Sequence, residues 1–130
     1  MKKILLKGGT VVSPKGLRKA DVLIVDDKIA SIGKHLADDA EVVNAKGKLI
    51  FPGFIDAHTH FDLEVSDTVT ADDFASGTRC AIAGGVTTVV DFATQNKGES
   101  LSDALNNWHM KAFAKSSCDY AFHMAISDWR

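Results

Sequence analysis

The sequence predicts an α/β protein in which a small all-β segment, residues 1–52, precedes a layer of alternating strands and helices, residues 53–130. Three observations support this prediction. The first fifty residues hold short apolar runs separated by turn residues. The remainder alternates apolar runs typical of buried strands with stretches of helical periodicity. Finally, the first strand of that second part ends in two histidines. The order strand, helix, strand, helix, strand is typical of a parallel sheet with right-handed crossovers.

Composition and charge exclude several classes of function. The chain has 130 residues, of which 45% are hydrophobic and 25% charged, enough for one modest core. Its 15 basic and 17 acidic residues are well mixed, so neither a nucleic-acid partner nor a membrane surface is expected. No apolar run approaches the ~18 residues of a membrane span, and Lys7-Gly8-Gly9 ends the first apolar run too early for a signal peptide. We therefore predict a cytoplasmic protein with two reduced, partly buried thiols, Cys80 and Cys118.

The first segment is predicted as short strands joined by tight turns. Asp21–Val25 and Ile29–Ile32 flank the polar turn Asp26-Asp27-Lys28 and form an expected hairpin. Ser13-Pro14-Lys15-Gly16 is a further turn cluster. The other predicted strands are Ile4–Leu6, Val11-Val12, Val42-Val43 and Leu49-Ile50.

The stretch Phe51–His60 organises the second segment. We predict a short strand here. If it is regular to its end, Asp56, His58 and His60 share one face, because side chains alternate along a strand. Two imidazoles two residues apart can bind one metal ion, although such a pair also occurs by chance among five histidines. Asp56, further back on that face, could orient a ligand histidine through a hydrogen bond. Ligands at the end of a strand that feeds a loop and a helix are typical of a β/α barrel.

The first helix of this segment is predicted to begin at Thr70, with Asp73 completing a capping box, and to end at Gly84-Gly85. The β-branched run Val86–Phe92 that follows suits a buried parallel strand. Asp91 near its end is either a polar group at the rim of a site or a hydrogen-bonded structural carboxylate.

Ser100 is predicted to cap the second helix, on which Trp108 belongs to the apolar stripe and to the core. Tyr120–Ile126 is the third apolar strand. His123 within it is interpreted as a hydrogen-bonded interior histidine. A loop or helix is expected to begin at Ser127–Arg130.

The motif "FPGFIDAHTHFD" resembles the first barrel strand of the amidohydrolase superfamily, and "HTHFD…TVTADDFASGTRCAIAGGVTTVVDFA" resembles the dihydropyrimidinase/hydantoinase family. The resemblance implies a metal-dependent (β/α)8 TIM barrel preceded by part of a β-sandwich that the distant C-terminus completes. It implies two divalent metal ions, usually zinc, and hydrolysis of dihydropyrimidine or hydantoin rings to N-carbamoyl amino acids. It also implies a homo-oligomer, a tetramer or dimer.

The resemblance assigns site residues only in part. His58 and His60 match the first two metal ligands of the family. The bridging lysine, two further histidines and the catalytic aspartate are expected beyond Arg130, and no ligand is taken from the position of His123. The loop 61–69 helps to shape the substrate pocket in the resembled family. Phe61, Leu63 and Val65 therefore either face the substrate's side group or pack inward beneath a surface loop.

The length of the chain limits which function it can perform alone. A complete β/α barrel takes about 250 residues, so this chain is too short to close one. We predict that it is an N-terminal fragment, inactive alone and with weak metal affinity, because catalytic zinc generally needs three protein ligands.

Four alternatives are compared at this point. An allantoinase-type cyclic amidohydrolase is compatible with every residue above. A dihydroorotase is disfavoured, because those relatives carry His-x-His-x-Arg where this chain has Asp62. A non-catalytic dihydropyrimidinase-like interaction protein that forms oligomers is disfavoured by the presence of both histidines. A small interaction module formed by the fragment itself is the fourth possibility.

Overall fold

The structure is a computed structural model that describes residues 1–36 and 39–129. The chain divides into two compact units, the first Met1–Pro52 and the second beginning at Gly53. Arg130 lies outside the described residues. It is the last residue of the second predicted segment and of the loop or helix expected at its end.

The first unit is built from strands alone. Its strands are β1 (Lys3–Lys7), β2 (Thr10–Ser13), β3 (Gly16–Lys19), β4 (Asp21–Val25), β5 (Lys28–Gly33), β6 (Glu41–Asn44) and β7 (Leu49–Ile50). They form a four-stranded sheet of order β5-β4-β1-β6 and a three-stranded sheet of order β3-β2-β7. Leu5 on β1 and Val22 on β4, two strands that pair antiparallel, are buried. The completion of these sheets into a β-sandwich by a distant segment stays a prediction.

Local turn chemistry explains both hairpins of this unit. The predicted hairpin is confirmed, since β4 and β5 pair antiparallel with Val25 opposite Lys28. Asp26 in its turn has a φ of 55°. Strand β3 was not predicted; it pairs antiparallel with β2 because the Ser13–Gly16 turn reverses the chain there, with Gly16 at a φ of 105°.

The second unit is a parallel sheet with helical crossovers. Its elements are β8 (Phe54–Thr59), β9 (Glu64–Val65), β10 (Thr68–Val69), α1 (Phe74–Ala83), β11 (Val86–Thr94), α2 (Leu101–Ala112) and β12 (Asp119–Ala125). The predicted alternation is confirmed, because β8, β11 and β12 run parallel in the order β12-β11-β8. The sheet does not close on itself within residues 53–129, where β8 and β12 are its edges. None of the helices in the described chain is long and apolar enough to cross a membrane.

Helix α1 begins later than predicted. It starts at Phe74 with Asp73 as its N-cap, and the capping box joins Asp73 to Ser76. Thr70 is engaged elsewhere, because its hydroxyl accepts the backbone N–H of Leu63 at 3.0 Å. The predicted start at Thr70 is therefore wrong. The predicted end is confirmed, with Gly84 as the C-cap.

The core of the second unit lies between the sheet and its two helices. Phe74 of α1, Ala93 of β11, and Trp108 and Ala112 of α2 form one buried cluster. Trp108 is only 4% exposed, which confirms its predicted core position. Alternate residues of β11 are buried on the helix side, so the intervening residues, Phe92 among them, belong to the opposite face of the sheet. That opposite face carries the candidate site.

Candidate metal centre

Two histidine side chains meet where β8 ends. The Nε2 atoms of His58 and His60 are 3.2 Å apart, and their ring centroids are separated by 5.0 Å. Both residues are exposed. The spacing of two residues at a strand end therefore brings the imidazoles together, as the sequence predicted.

Phe92 of β11 provides an apolar surface behind the pair. Its ring centroid lies 4.5 Å from that of His58 and 5.1 Å from that of His60. The ring of His123, on β12, packs against the same phenyl group at 4.8 Å. Phe92 thus restricts the rotamers of both imidazoles, although both histidines remain exposed. Sequence reasoning overlooked it because an aromatic residue in a strand is ordinarily a core residue.

His123 is hydrogen-bonded, as predicted. Its Nε2 lies 3.0 Å from the carbonyl oxygen of Ala57, to which it donates as the Nε2–H tautomer. The prediction that it is an interior residue is wrong for the described chain, because β12 is a sheet edge and His123 is exposed there. Its bond fixes the backbone one residue before His58.

Asp56 forms a hydrogen bond with the backbone of His58. Its Oδ1 accepts the backbone N–H of His58 at 3.2 Å. The register also shifts here, because Asp56 and Thr59, three residues apart on β8, pair with Val89 and Asp91, two residues apart on β11. Such an irregularity interrupts the period-two alternation on which a shared face for Asp56 and the histidines was based. Orientation of a ligand imidazole by Asp56 stays a prediction.

Asp91 is fully buried, and each of its carboxylate oxygens accepts two hydrogen bonds. Its Oδ2 accepts from Thr59 Oγ1 and from the backbone N–H of Phe61, each at 2.9 Å. Its Oδ1 accepts from the backbone N–H of Phe92 at 2.8 Å and from Trp108 Nε1 at 3.0 Å. Of the two roles left open by the sequence, the hydrogen-bonded structural carboxylate is confirmed.

The loop that follows the histidines contains a small hairpin. Strands β9 and β10 pair antiparallel around Ser66, whose φ is 53°. Phe61 and Leu63 are partly buried against the helical core, whereas Val65 on β9 is 50% exposed. Phe61 meets Phe74 edge to face, with centroids 5.3 Å apart. Contact of these three side chains with a substrate stays a prediction.

The histidine pair fits a metal ion by its donor chemistry. Two nitrogens that each lie about 2.0–2.1 Å from a tetrahedral zinc ion stand about 3.3 Å apart, close to the observed 3.2 Å. A direct hydrogen bond between the rings has a similar length, so distance alone does not distinguish the two. Within residues 1–36 and 39–129, no group of three or more histidine, cysteine or acidic side chains is clustered for a metal. The pair is thus a partial ligand set.

Comparison with known proteins places this site in a family. The sequence model of the amidohydrolase family matches residues 49–126, more than half of the chain. The chain belongs to the amidohydrolase family. The hydantoinases of this family are generally metal-dependent, in agreement with the two imidazole donors of His58 and His60.

Among amidohydrolases, the similar proteins include hydantoinases and dihydropyrimidinases. The D-hydantoinase of Geobacillus stearothermophilus is 50% identical over 125 residues, covering 95% of this chain and 26% of that protein. The dihydropyrimidinase of Dictyostelium discoideum is 44% identical over 128 residues, covering 97% and 25%. These relatives confirm the resemblance seen in the sequence motifs. The chain spans about a quarter of their length.

Solved structures agree. The dihydropyrimidinase of Brevibacillus agri superposes with a TM-score of 0.93 at 46% identity, covering 98% of this chain and 28% of that one. The L-hydantoinase of Arthrobacter aurescens superposes with a TM-score of 0.75 at 26% identity, covering 94% and 27%. The described fold therefore corresponds to one part of these larger amidohydrolases.

Proposed function

We propose that residues 1–130 belong to a metal-dependent hydrolase that opens hydantoin or dihydropyrimidine rings and releases N-carbamoyl amino acids. The observation that carries the proposal is the 3.2 Å separation of the His58 and His60 Nε2 atoms, in an amidohydrolase whose relatives are named hydantoinases and dihydropyrimidinases. The parallel sheet would form the first three strands of a (β/α)8 barrel, with both histidines at its catalytic end.

His58 and His60 would hold the metal through their Nε2 lone pairs, which requires both imidazoles to be neutral. Two divalent ions, zinc in the first instance, complete the proposed centre. When bound, they lower the pKa of water and polarise the carbonyl group of the ring amide. The remaining ligands and the proton-transferring aspartate would come from residues outside this chain.

The other side chains of the site would orient and enclose. Phe92 packs against both imidazoles and excludes water from one side of them. Asp56 and His123 bond to the backbone at and before His58, which limits its movement. The hairpin β9–β10 would border the substrate pocket, with the exposed Val65 contacting the ring substituent and Phe61 and Leu63 fixing the base of the loop.

Metal content and ring opening test this proposal. The gene product that carries residues 1–130 is purified with Zn²⁺, its metal content is determined by mass spectrometry, and hydrolysis of hydantoin, dihydrouracil and allantoin is followed by release of the ring-opened product. We expect bound metal and hydrolysis of the first two rings, both lost in His58→Ala and His60→Ala. His109→Gln, a change at an exposed histidine of α2, should retain both.

Other outcomes discriminate among the alternatives. Preferential opening of allantoin would favour the allantoinase-type enzyme. A metal-free gene product without activity that forms a defined oligomer would favour the interaction protein. The 130-residue chain alone should neither hydrolyse these rings nor bind Zn²⁺ tightly, because two imidazoles leave the ion with too few protein ligands. Ring hydrolysis by that chain, lost with His58→Ala, would contradict this expectation.

A further inference from the structure

We infer that Asp91 is a positioning residue for the metal-binding pair: its carboxylate bonds to the residues on both sides of His60 and to the backbone N–H of Phe92, whose ring supports both imidazoles. The inference deepens the proposed function, since it assumes that His58 and His60 act as ligands. Asp91 touches neither ring and is not itself proposed as a ligand.

Strand pairing stops just before His60. β8 ends at Thr59, whose ladder partner is Asp91. His60 lies beyond the strand, so the ladder does not set its φ and ψ angles. The Oδ2 atom of Asp91 instead accepts from the Thr59 hydroxyl and the Phe61 N–H, which flank His60. One oxygen atom thus bridges the two residues that flank this histidine.

The other carboxylate oxygen of Asp91 accepts two further hydrogen bonds. Oδ1 accepts the N–H of Phe92, whose ring packs on both imidazoles, and the indole Nε1–H of Trp108. Trp108 belongs to the buried core of the unit. The carboxylate therefore joins the residues that flank His60, the backbone of Phe92 and the helix α2.

Burying the Asp91 carboxylate costs free energy. Burial of a carboxylate without a cation is unfavourable, and an apolar residue of similar volume would pack at lower cost. In the part of the chain that the structure describes, the ion pairs are Lys2–Glu41 and Lys3–Asp39, and Asp91 takes part in neither. What a carboxylate adds over an apolar side chain is four directional bonds, three of which hold residues that flank or support the histidine pair. Residues that hydrogen-bond directly to metal ligands typically change metal affinity 10–100-fold when they are mutated, and we expect an effect on that scale from Asp91, which acts through the neighbours of His60.

The test separates positioning from general stability. Asp91→Asn keeps the shape but presents an amide group to donors, and Thr59→Val removes only the hydroxyl donor beside His60. Thr59→Ser restores that donor. Trp108→Phe removes a donor that lies on the helix side, away from the imidazoles. The Zn²⁺ dissociation constant of each variant of the gene product is measured by chelator competition, well below its melting temperature.

We expect Asp91→Asn and Thr59→Val to weaken Zn²⁺ binding about 10–100-fold. Thr59→Ser should bind like the wild type. Trp108→Phe should lower the melting temperature with a smaller change in affinity. Wild-type affinity in both Asp91→Asn and Thr59→Val would overturn the inference. If Asp91→Asn does not fold, the comparison of Thr59→Val with Thr59→Ser decides.

Failure of the proposed function is recognised separately. If the wild type binds Zn²⁺ no better than His58→Ala, the metal proposal falls. The positioning is then measured in histidine-labelled, metal-free protein by the nuclear Overhauser effect between the two imidazoles. Loss of that signal in Thr59→Val with retention in Thr59→Ser would support the role of Asp91, and its retention in both would overturn it.

Discussion

The indole Nε1–H of Trp108 donates to Oδ1 of the fully buried Asp91 over 3.0 Å, joining helix α2 to strand β11. The two residues are 17 positions apart in sequence. The same indole ring lies 4.2 Å from the ammonium group of Lys111, which donates to the carbonyl oxygen of Asp62. Helix α2 is therefore connected both to the carboxylate and to the start of the loop after the histidines.

Trp108→Phe should lower the free energy of unfolding by about 1–3 kcal/mol, because it removes a donor from a buried carboxylate oxygen and also weakens the contact with Lys111. Urea unfolding of the 130-residue chain, followed by circular dichroism, measures the change. Met110→Ala, at a 72% exposed position of the same helix, is the matched control and should have little effect. Equal stabilities of the two variants would contradict this prediction.

Gly77→Ala should destabilise the second unit by about 1–3 kcal/mol through overpacking. A Cβ atom at Gly77 would lie 2.2 Å from Cε1 of Phe61, whose ring is held against Phe74. The melting temperature of the variant measures the effect. Gly84→Ala is the control, because a Cβ there would come no closer than 3.4 Å to its neighbours. A Gly77→Ala variant as stable as that control would mean that Phe61 moves aside without cost.

The N-cap of α1 should contribute a pH-dependent stability. The pKa of Asp73 is lowered from its ordinary value of 3.8, first of all by the backbone N–H of Ser76, which bonds to the ionised carboxylate. A lowered folded-state pKa means that the stabilisation is complete above 3.8 and is lost as the pH falls through the lowered value.

The urea midpoint measured from neutral to acid pH should therefore fall less steeply in Asp73→Asn than in the wild type. Asparagine caps a helix without titrating, so the variant is its own control for the loss of the cap. Parallel pH profiles for the two proteins would show that the cap does not depend on charge.

The two thiols should differ in reactivity. Neither forms a disulfide, and Cys118 is partly buried as predicted, whereas the predicted partial burial is wrong for Cys80, which is exposed. Burial raises the pKa of the Cys118 thiol and reduces its thiolate fraction at neutral pH. Alkylation by iodoacetamide, located by peptide mass spectrometry, should be several-fold slower at Cys118 than at Cys80. The difference should vanish in concentrated urea, and its absence in the native protein would contradict the burial.

Local patterns were sufficient for much of this fold. The hairpin around Asp26 and the cap at Ser100 follow from turn and capping chemistry, and the β-branched run before Phe92 follows from strand propensity. Two histidines separated by one residue at a strand end were sufficient to predict that their side chains meet. Each of these features depends on residues only a few positions apart, which is the range over which backbone periodicity and local hydrogen bonds act.

Only the tertiary structure decided the features that join distant segments. The start of α1 moved from Thr70 to Phe74 because the backbone of Leu63 engages the Thr70 hydroxyl. The role of Asp91 depends on donors 17 to 32 residues away along the chain, and no periodicity encodes such partners. A buried carboxylate is stable only where the folded chain brings donors to both of its oxygen atoms. By itself, therefore, the sequence determined which residues could bind a metal, whereas packing between the sheet and α2 decided how they are held.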